Sequence, residues 1–312
     1  MRKMAEPLVS ILMNCYNGEK YLQEAIDSVL AQTYKNWELI FWDNQSTDQS
    51  AYILKSYNDP RLKYFLATEH TDLGSGRDKA FKYLKGEFIA MLDADDIWLP
   101  KKLEKQVPLF EDQEIGIVIS DTFFFNEKTE KALYGKTLPL TGSVFEKLIT
   151  NYFVSSETIV FRMSTALKLP RAFDPDFNFI SDFDLVVRLS RISKMAFCQD
   201  VLAKWRVHGE SHTWKYPLTF VEEKERWIIR QIAEDPSFSE KYKKQIKIFN
   251  STNFRDRAVF EISNNRNRVG AINNVIKTRF IDWRDWILLV LCFIPFSNIL
   301  LSYLLKRKSQ SL

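Results

Sequence analysis

Phe88-Ile89-Ala90-Met91-Leu92-Asp93-Ala94-Asp95-Asp96 is the stretch on which the reading of this chain turns. Five apolar residues in succession predict a buried strand, and three carboxylates follow at once at its open end. A parallel sheet puts ligand sites at the carboxyl ends of its strands, so these acids stand where a cation and the phosphates it neutralises are gripped. The plainer reading is a solvated strand-to-helix turn in which Asp96 caps the helix that begins near Pro100.

Working outward, strand-like runs recur at 8–13, 38–42, 62–66 and 87–92, with helical spacing between them at 21–30, 49–57 and 77–84. That alternation predicts an α/β fold: an open, mostly parallel sheet with helices on both faces and one functional rim of strand ends. A helix over 101–110, a strand over 116–120, a helix over 181–191 capped by Ser181, and a strand over 201–207 follow. Residues 217–277 then keep helical spacing and predict a helical extension. The expected organisation is a catalytic domain over 1–215, a helical extension over 216–282 and a hydrophobic tail over 283–312.

The 312 residues are 46% hydrophobic and 27% charged, enough to bury a full core. Basic and acidic side chains number 44 and 40, and this balance excludes a dense nucleic-acid grip. Cys15, Cys198 and Cys292 are far apart and lack zinc-like spacing, which predicts reduced thiols and no disulfide. The apolar run at 8–13 breaks at Asn14 without a small-residue cleavage site and reads as a first strand, not a signal peptide.

Near the other end, 287–305 holds no charged side chain, follows Trp283 and Trp286, and precedes Lys306-Arg307-Lys308. Pro295 interrupts it, and basic residues flank both sides. These features predict a re-entrant or interfacial hairpin at the cytosolic membrane face, with a buried hairpin or a dimer contact as the alternative.

Two phosphate motifs are excluded by counting. Gly74-Ser75-Gly76 would need glycine at 79, where Lys79 stands, and Gly135-Lys136-Thr137 lacks the earlier P-loop glycine, replaced by Glu130. The first two strand ends instead carry polar groups suited to a nucleoside: Asn14, Tyr16 and Asn17 on one, Asp43, Asn44 and Thr47 on the other. Tyr16 could stack on a base, and Asp43 and Asn44 could meet ring or ribose groups. The structural alternative makes Asn17-Gly18 a turn and Thr47 a helix cap.

Val9-Ser10-Ile11-Leu12, Tyr16-Asn17, Ser28 to Thr33, Glu38-Leu39-Ile40, Gly86 to Ala90 and Leu92 to Pro100 together resemble the family-2 glycosyltransferases, in order over roughly the first third of the chain. The resemblance implies an A-type nucleotide-sugar fold and an inverting enzyme. It places Asp93 near the ribose and Asp95 on a divalent ion, Mg²⁺ or Mn²⁺, that bridges the donor diphosphate. Asp96 would stand behind them or cap a helix. Arg77 falls where such enzymes place a basic residue towards the nucleotide, or else is a solvated helix-start arginine. Ile180-Ser181-Asp182-Phe183-Asp184-Leu185 is similar to the family's second acidic motif and implies Asp182 as catalytic base, with Asp184 the weaker candidate. Trp205-Arg206-Val207-His208 resembles a donor-covering segment, which makes His208 a further metal ligand; His70 and His212 read as ordinary loop residues.

The chain departs from the family at Asn14 for proline, Asn44 for aspartate and Asp78 for asparagine, and it lacks the Gln-x-x-Arg-Trp signature of polymer-forming members. These features imply single-sugar transfer from a nucleotide-diphosphate donor to a glycan or lipid-linked glycan acceptor in polysaccharide assembly. A metal-dependent nucleotide-sugar hydrolase or nucleotidyltransferase would share the acidic rim, and a sugar-nucleotide sensor would share it without turnover.

Overall fold

A computed structural model describes residues 6–265, 267–295, 297–299 and 301. They fall into two compact units, one from 6–145 with 153–206 and the other from 146–152 with the described residues from 207 onward. The sequence boundary near 215 falls inside the second unit.

The first unit opens with β1 (Val9–Cys15), α1 (Glu19–Leu30), β2 (Trp37–Asp43), α2 (Ser50–Lys55), β3 (Leu62–Leu66), α3 (Leu73–Phe81) and β4 (Phe88–Met91). These four strands pair in parallel in the order β3-β2-β1-β4. Side chains alternate along β1, so its two faces differ. Val9, Ile11, Met13 and Cys15 share a core with Leu22, Ala25, Ile26 and Val29 of α1. Ser10 and Asn14 face the other way, where Ser10 binds the backbone N–H of Gly86 at 2.7 Å and α3 packs.

Beyond β4 come β5 (Ile97–Trp98), α4 (Lys102–Gln106), β6 (Ile115–Phe125), β7 (Glu130–Ala132), α5 (Phe145–Thr150), β8 (Val160–Arg162), α6 (Met163–Ala166), α7 (Ser181–Ser190) and β9 (Lys194–Arg206). The sheet continues β4-β8-β6-β9-β5 with β7 on β6, and β4-β8, β8-β6 and β9-β5 are antiparallel. The α/β open sheet expected from sequence is therefore present, but its second half is mixed. The long strands β6 and β9 pair with each other in parallel through register shifts near Ser120 and Asp121. The helix expected over 101–110 stops at Gln106 and continues as a 3₁₀ turn, Val107–Glu111, because Pro108 has no N–H to give an α-helix.

The second unit is helical: α8 (His212–Lys215), α9 (Pro217–Glu234), α10 (Phe238–Lys241), α11 (Lys243–Phe260), α12 (Arg268–Lys277) and α13 (Trp283–Phe293). Ala258, Ile262, Ala271, Val275, Leu288 and Cys292 form a core of their own. Asp282 and Asp285 make a reciprocal capping box at the start of α13, and buried Asp285 pairs with Arg255 at 2.6 Å. No described helix is long and apolar enough to cross a membrane. The first arm of the expected tail hairpin is α13; 302–312 lie outside the described residues.

Candidate active site

The acidic turn begins where β4 ends. Leu92 still donates to the Leu12 carbonyl at 3.2 Å, and Asp96 N–H closes the turn on the Asp93 carbonyl at 3.2 Å. The three carboxylates then diverge. Asp93 and Asp95 are half-buried, whereas Asp96 is buried and accepts the backbone N–H of Arg206 at 2.9 Å. Arg206 also donates from Nε to the Asp95 carbonyl at 2.9 Å and from Nη2 to Glu24 at 2.9 Å. Asp96 therefore caps no helix: α4 starts at Lys102 without a side-chain cap, and Asp96 pins the turn to the end of β9.

Negative charge is concentrated here. Burial pushes the Asp96 carboxyl well above the ordinary range, and the neighbouring Asp95, Glu157 and Asp93 push it further. Glu157, also buried, is raised chiefly by burial, against the pull of the Ser155 hydroxyl. Beneath them Lys102 is wholly buried, bonds Gln106 and the Thr158 carbonyl, lies 4.6 Å from the Trp98 ring centroid, and is lowered by burial to about 7. An arriving cation would relieve this field, and hard carboxylate oxygens suit Mg²⁺ or Mn²⁺. Among the described residues no group of three or more His, Cys, Asp or Glu side chains forms a metal cage. The turn thus fits an ion held by one or two carboxylates and completed by donor phosphates, the usual arrangement for Mg²⁺.

Arg77 links this turn to the second acidic motif. Its helix α3 is capped by Asp72, which accepts from Ser75 N–H at 2.8 Å. Two glycines let α3 approach its neighbours: a Cβ at Gly74 would sit 2.2 Å from the Phe177 carbonyl, and one at Gly76 would sit 2.7 Å from Asn14 Nδ2. Leu73 N–H also donates to Asn178 Oδ1 at 2.8 Å. So wedged, Arg77 is buried and donates from Nη2 to Asp93 at 2.8 Å and from Nη1 to the Ser181 hydroxyl at 2.7 Å. It is no solvated arginine. Ser181 is correspondingly not the helix cap: Ile180 holds that position, without a side-chain bond.

Asp182 follows in the first turn of α7, half-buried, at the positive end of the helix dipole. Asp184 is committed elsewhere. It is buried against Arg188, whose guanidinium also holds the carbonyls of Arg171 and Ala172 at 2.7 and 2.8 Å.

The rim of β1 and β2 forms a second cluster. Asn17 adopts a left-handed φ of 52°, and its Oδ1 accepts Thr47 N–H at 2.8 Å, so Thr47 caps nothing; α2 begins after Gln49. Buried Asp43 accepts from Ser46 N–H at 2.8 Å and from the Tyr64 hydroxyl at 2.7 Å. Asn44 grips Thr71, donating to its carbonyl at 2.5 Å and accepting from its N–H at 3.1 Å. Its amide thereby fixes the loop that carries His70. The His70 ring lies 4.2 Å from that of Tyr16, and its Nδ1 is 2.9 Å from the Asn44 carbonyl. Tyr16 is 52% exposed and presents an open aromatic surface. The sequence read His70 as an ordinary loop residue, and its neighbours Tyr16 and Asn44 meet it only in the fold. Asn14 Oδ1 is buried without a protein partner among the described residues. Cys15, buried and raised to about 11, is a core thiol and no nucleophile. His208 falls in the second unit, two positions past β9, where its carbonyl accepts Ser211 N–H at 3.2 Å.

The sequence and the fold both have known relatives. The family model for Glycosyl transferase family 2 matches residues 10–167. The UDP-Glc:alpha-D-GlcNAc-diphosphoundecaprenol beta-1,3-glucosyltransferase WfgD of Escherichia coli is 30% identical over 237 residues, covering 75% of this chain and 89% of that protein. An uncharacterised glycosyltransferase of Rickettsia typhi is 34% identical over 214 residues, which cover 66% of each chain. In fold, Staphylococcus aureus TarS 1-349 in complex with UDP-GlcNAc superposes with a TM-score of 0.65 at 16% identity, covering 97% of this chain and 91% of that one. The mannosyltransferase PcManGT of Pyrobaculum calidifontis, in complex with GDP-Man and Mn²⁺, does so with 0.64 at 17% identity, covering 97% and 86%. With half of its length matched by the family model, and with the acidic turn and the Asp182 helix both bonded to Arg77, the chain belongs to glycosyltransferase family 2.

Proposed function

We propose that the chain is an inverting glycosyltransferase that moves a single sugar from a nucleotide-diphosphate donor to a glycan or lipid-linked glycan acceptor in polysaccharide biosynthesis. One observation carries the reading: Arg77 bonds both Asp93 of the acidic turn and Ser181, the neighbour of Asp182. A donor-side acid and a base from the far half of the unit are thereby tied to one guanidinium. The names of the relatives support the substrate classes, since WfgD is named for a UDP-Glc donor and a diphosphoundecaprenol-linked acceptor, and TarS is seen with UDP-GlcNAc.

In this reading Tyr16, with His70 behind it, offers its face to the nucleobase. Asn14, Asp43 and Asn44 shape that end of the pocket, and Asp93 and Arg77 set the ribose and phosphate end. A divalent cation held by Asp95 would offset the charge that builds on the departing nucleoside diphosphate. Asp182 takes the proton from the acceptor hydroxyl as its oxygen attacks the anomeric carbon from the side opposite the diphosphate, which inverts that centre. An acceptor on a lipid carrier implies work at the cytoplasmic membrane face as a peripheral or monotopic protein.

The test is a transfer assay with a panel of nucleotide sugars and a lipid-diphosphate sugar acceptor, with and without Mn²⁺. A glycosylated acceptor of inverted anomeric configuration supports the proposal. Release of free sugar or exchange of the nucleotide, equally fast without acceptor, would overturn it.

A further inference from the structure

We infer that the outward face of α13 is a docking surface for an anionic lipid bilayer, on which the helix lies along the headgroup plane. Trp283, Trp286, Ile287, Val290 and Phe293 are 70%, 58%, 47%, 58% and 66% exposed. At about 100° per residue these five side chains fall within an arc of about 120°. Asp285, Leu288 and Cys292, on the opposite side, are buried in the unit's own core. Such a continuous apolar stripe on a folded surface marks an interaction site. It is also rigidly presented, since the capping box and the buried Arg255–Asp285 pair fix the helix start.

Charge identifies the occupant. Residues 268–312 carry seven Lys or Arg side chains and two Asp, a net of +5, whereas the whole chain carries +4. All of the excess positive charge therefore resides in the segment that bears the stripe. A second copy would set this basic segment against itself, whereas an anionic bilayer neutralises it. Length decides the mode: the 11 residues of α13 span about 16 Å against the roughly 30 Å of a hydrocarbon core, so the helix lies on the bilayer without crossing it. Tryptophans at the start of the stripe suit the headgroup boundary.

This surface deepens the proposed membrane-borne acceptor and rests on that reading only for its purpose, so the test separates the two. Full-length protein is sedimented with vesicles of phosphatidylcholine containing about one-third phosphatidylglycerol, and with phosphatidylcholine alone. The expected result is binding to the anionic vesicles, weakened at least about tenfold on phosphatidylcholine alone and in a Trp283→Ser, Val290→Ser, Phe293→Ser variant. The variant should glycosylate a water-soluble acceptor at the wild-type rate; vesicle binding without transfer to any acceptor would sink the catalytic reading and leave the docking surface standing. Should the variant fold poorly, quenching of wild-type tryptophan fluorescence by brominated phosphatidylglycerol replaces it, and quenching is expected. Absence of both anionic-vesicle binding and quenching, equal binding by a folded variant, or a stripe-dependent dimer that ignores vesicles would each overturn the inference.

Discussion

Arg77 and Ser181 stand 104 positions apart in the sequence and share a 2.7 Å hydrogen bond, with Asp93 on the other nitrogen of the same guanidinium. The planar fork is what allows two partners in fixed directions, and a lysine ammonium is a single point charge. Arg77→Lys should therefore keep the fold but lower kcat/KM by about 10²-fold, the scale expected when reacting groups shift by about 1 Å. Steady-state kinetics with a thermal melt checks this; a variant that loses Tm in proportion to activity would make Arg77 merely structural.

Asp182→Asn removes the proposed proton acceptor at almost constant shape. Transfer should fall by about 10²–10⁴-fold, the usual worth of a positioned base, with donor affinity nearly unchanged. Calorimetric donor titration beside initial rates gives the answer, and an active variant removes the assignment.

Asp95→Asn should behave differently, because its proposed role lies in holding the donor's ion. Donor-induced stabilisation in Mn²⁺ should shrink several-fold relative to the wild type, following the ratio of free ligand to Kd. Equal shifts in both proteins would speak against Asp95 as a ligand.

Tyr16 offers its exposed ring beside His70. Base stacking on an aromatic is worth about 1–2 kcal/mol, so Tyr16→Ala should raise the donor KM by about 5- to 30-fold with little change in kcat. A change confined to kcat would place the ring away from the nucleobase.

Buried Lys102, lowered to about 7, makes stability depend on pH. Between about 7 and the ordinary lysine value of about 10.4 the unfolded chain holds a proton that the folded one has released. This group's contribution to stability therefore rises with pH across that window, by up to about 1.4 kcal/mol per unit, and is lowest below about pH 7. Urea melts of the wild type and of Lys102→Met should diverge in slope there; parallel curves would refute the depressed value.

The strand ends and the helix after Asp182 were legible because each rests on a local pattern: the apolar run before Asp93, and the spacing of Phe183, Val186, Val187 and Leu189. What local pattern could not supply was partnership. Asn44 holds Thr71 and Asp96 holds Arg206, and each pairing exists only after distant segments meet. The same blindness made Ser181 a cap in the sequence reading, when its hydroxyl is spoken for by Arg77. Pairing with β9 carries β6 on to Phe125, past the strand expected over 116–120, whereas Pro108 ended α4 by a rule that the residue itself announces.

The contacts of Arg206 bear on biogenesis. This residue closes β9 and binds the acidic turn 110 positions earlier, as well as Glu24 on α1. A nascent polypeptide emerges from the ribosome in order, so the turn at 93–96 is synthesised long before its clasp exists. Contacts of such wide separation form late, since loop-closure entropy must be met first. A fragment cut to the matched span 10–167 would therefore carry the signature acids in an unfinished state, and the enzyme should stay silent until translation has passed Arg206.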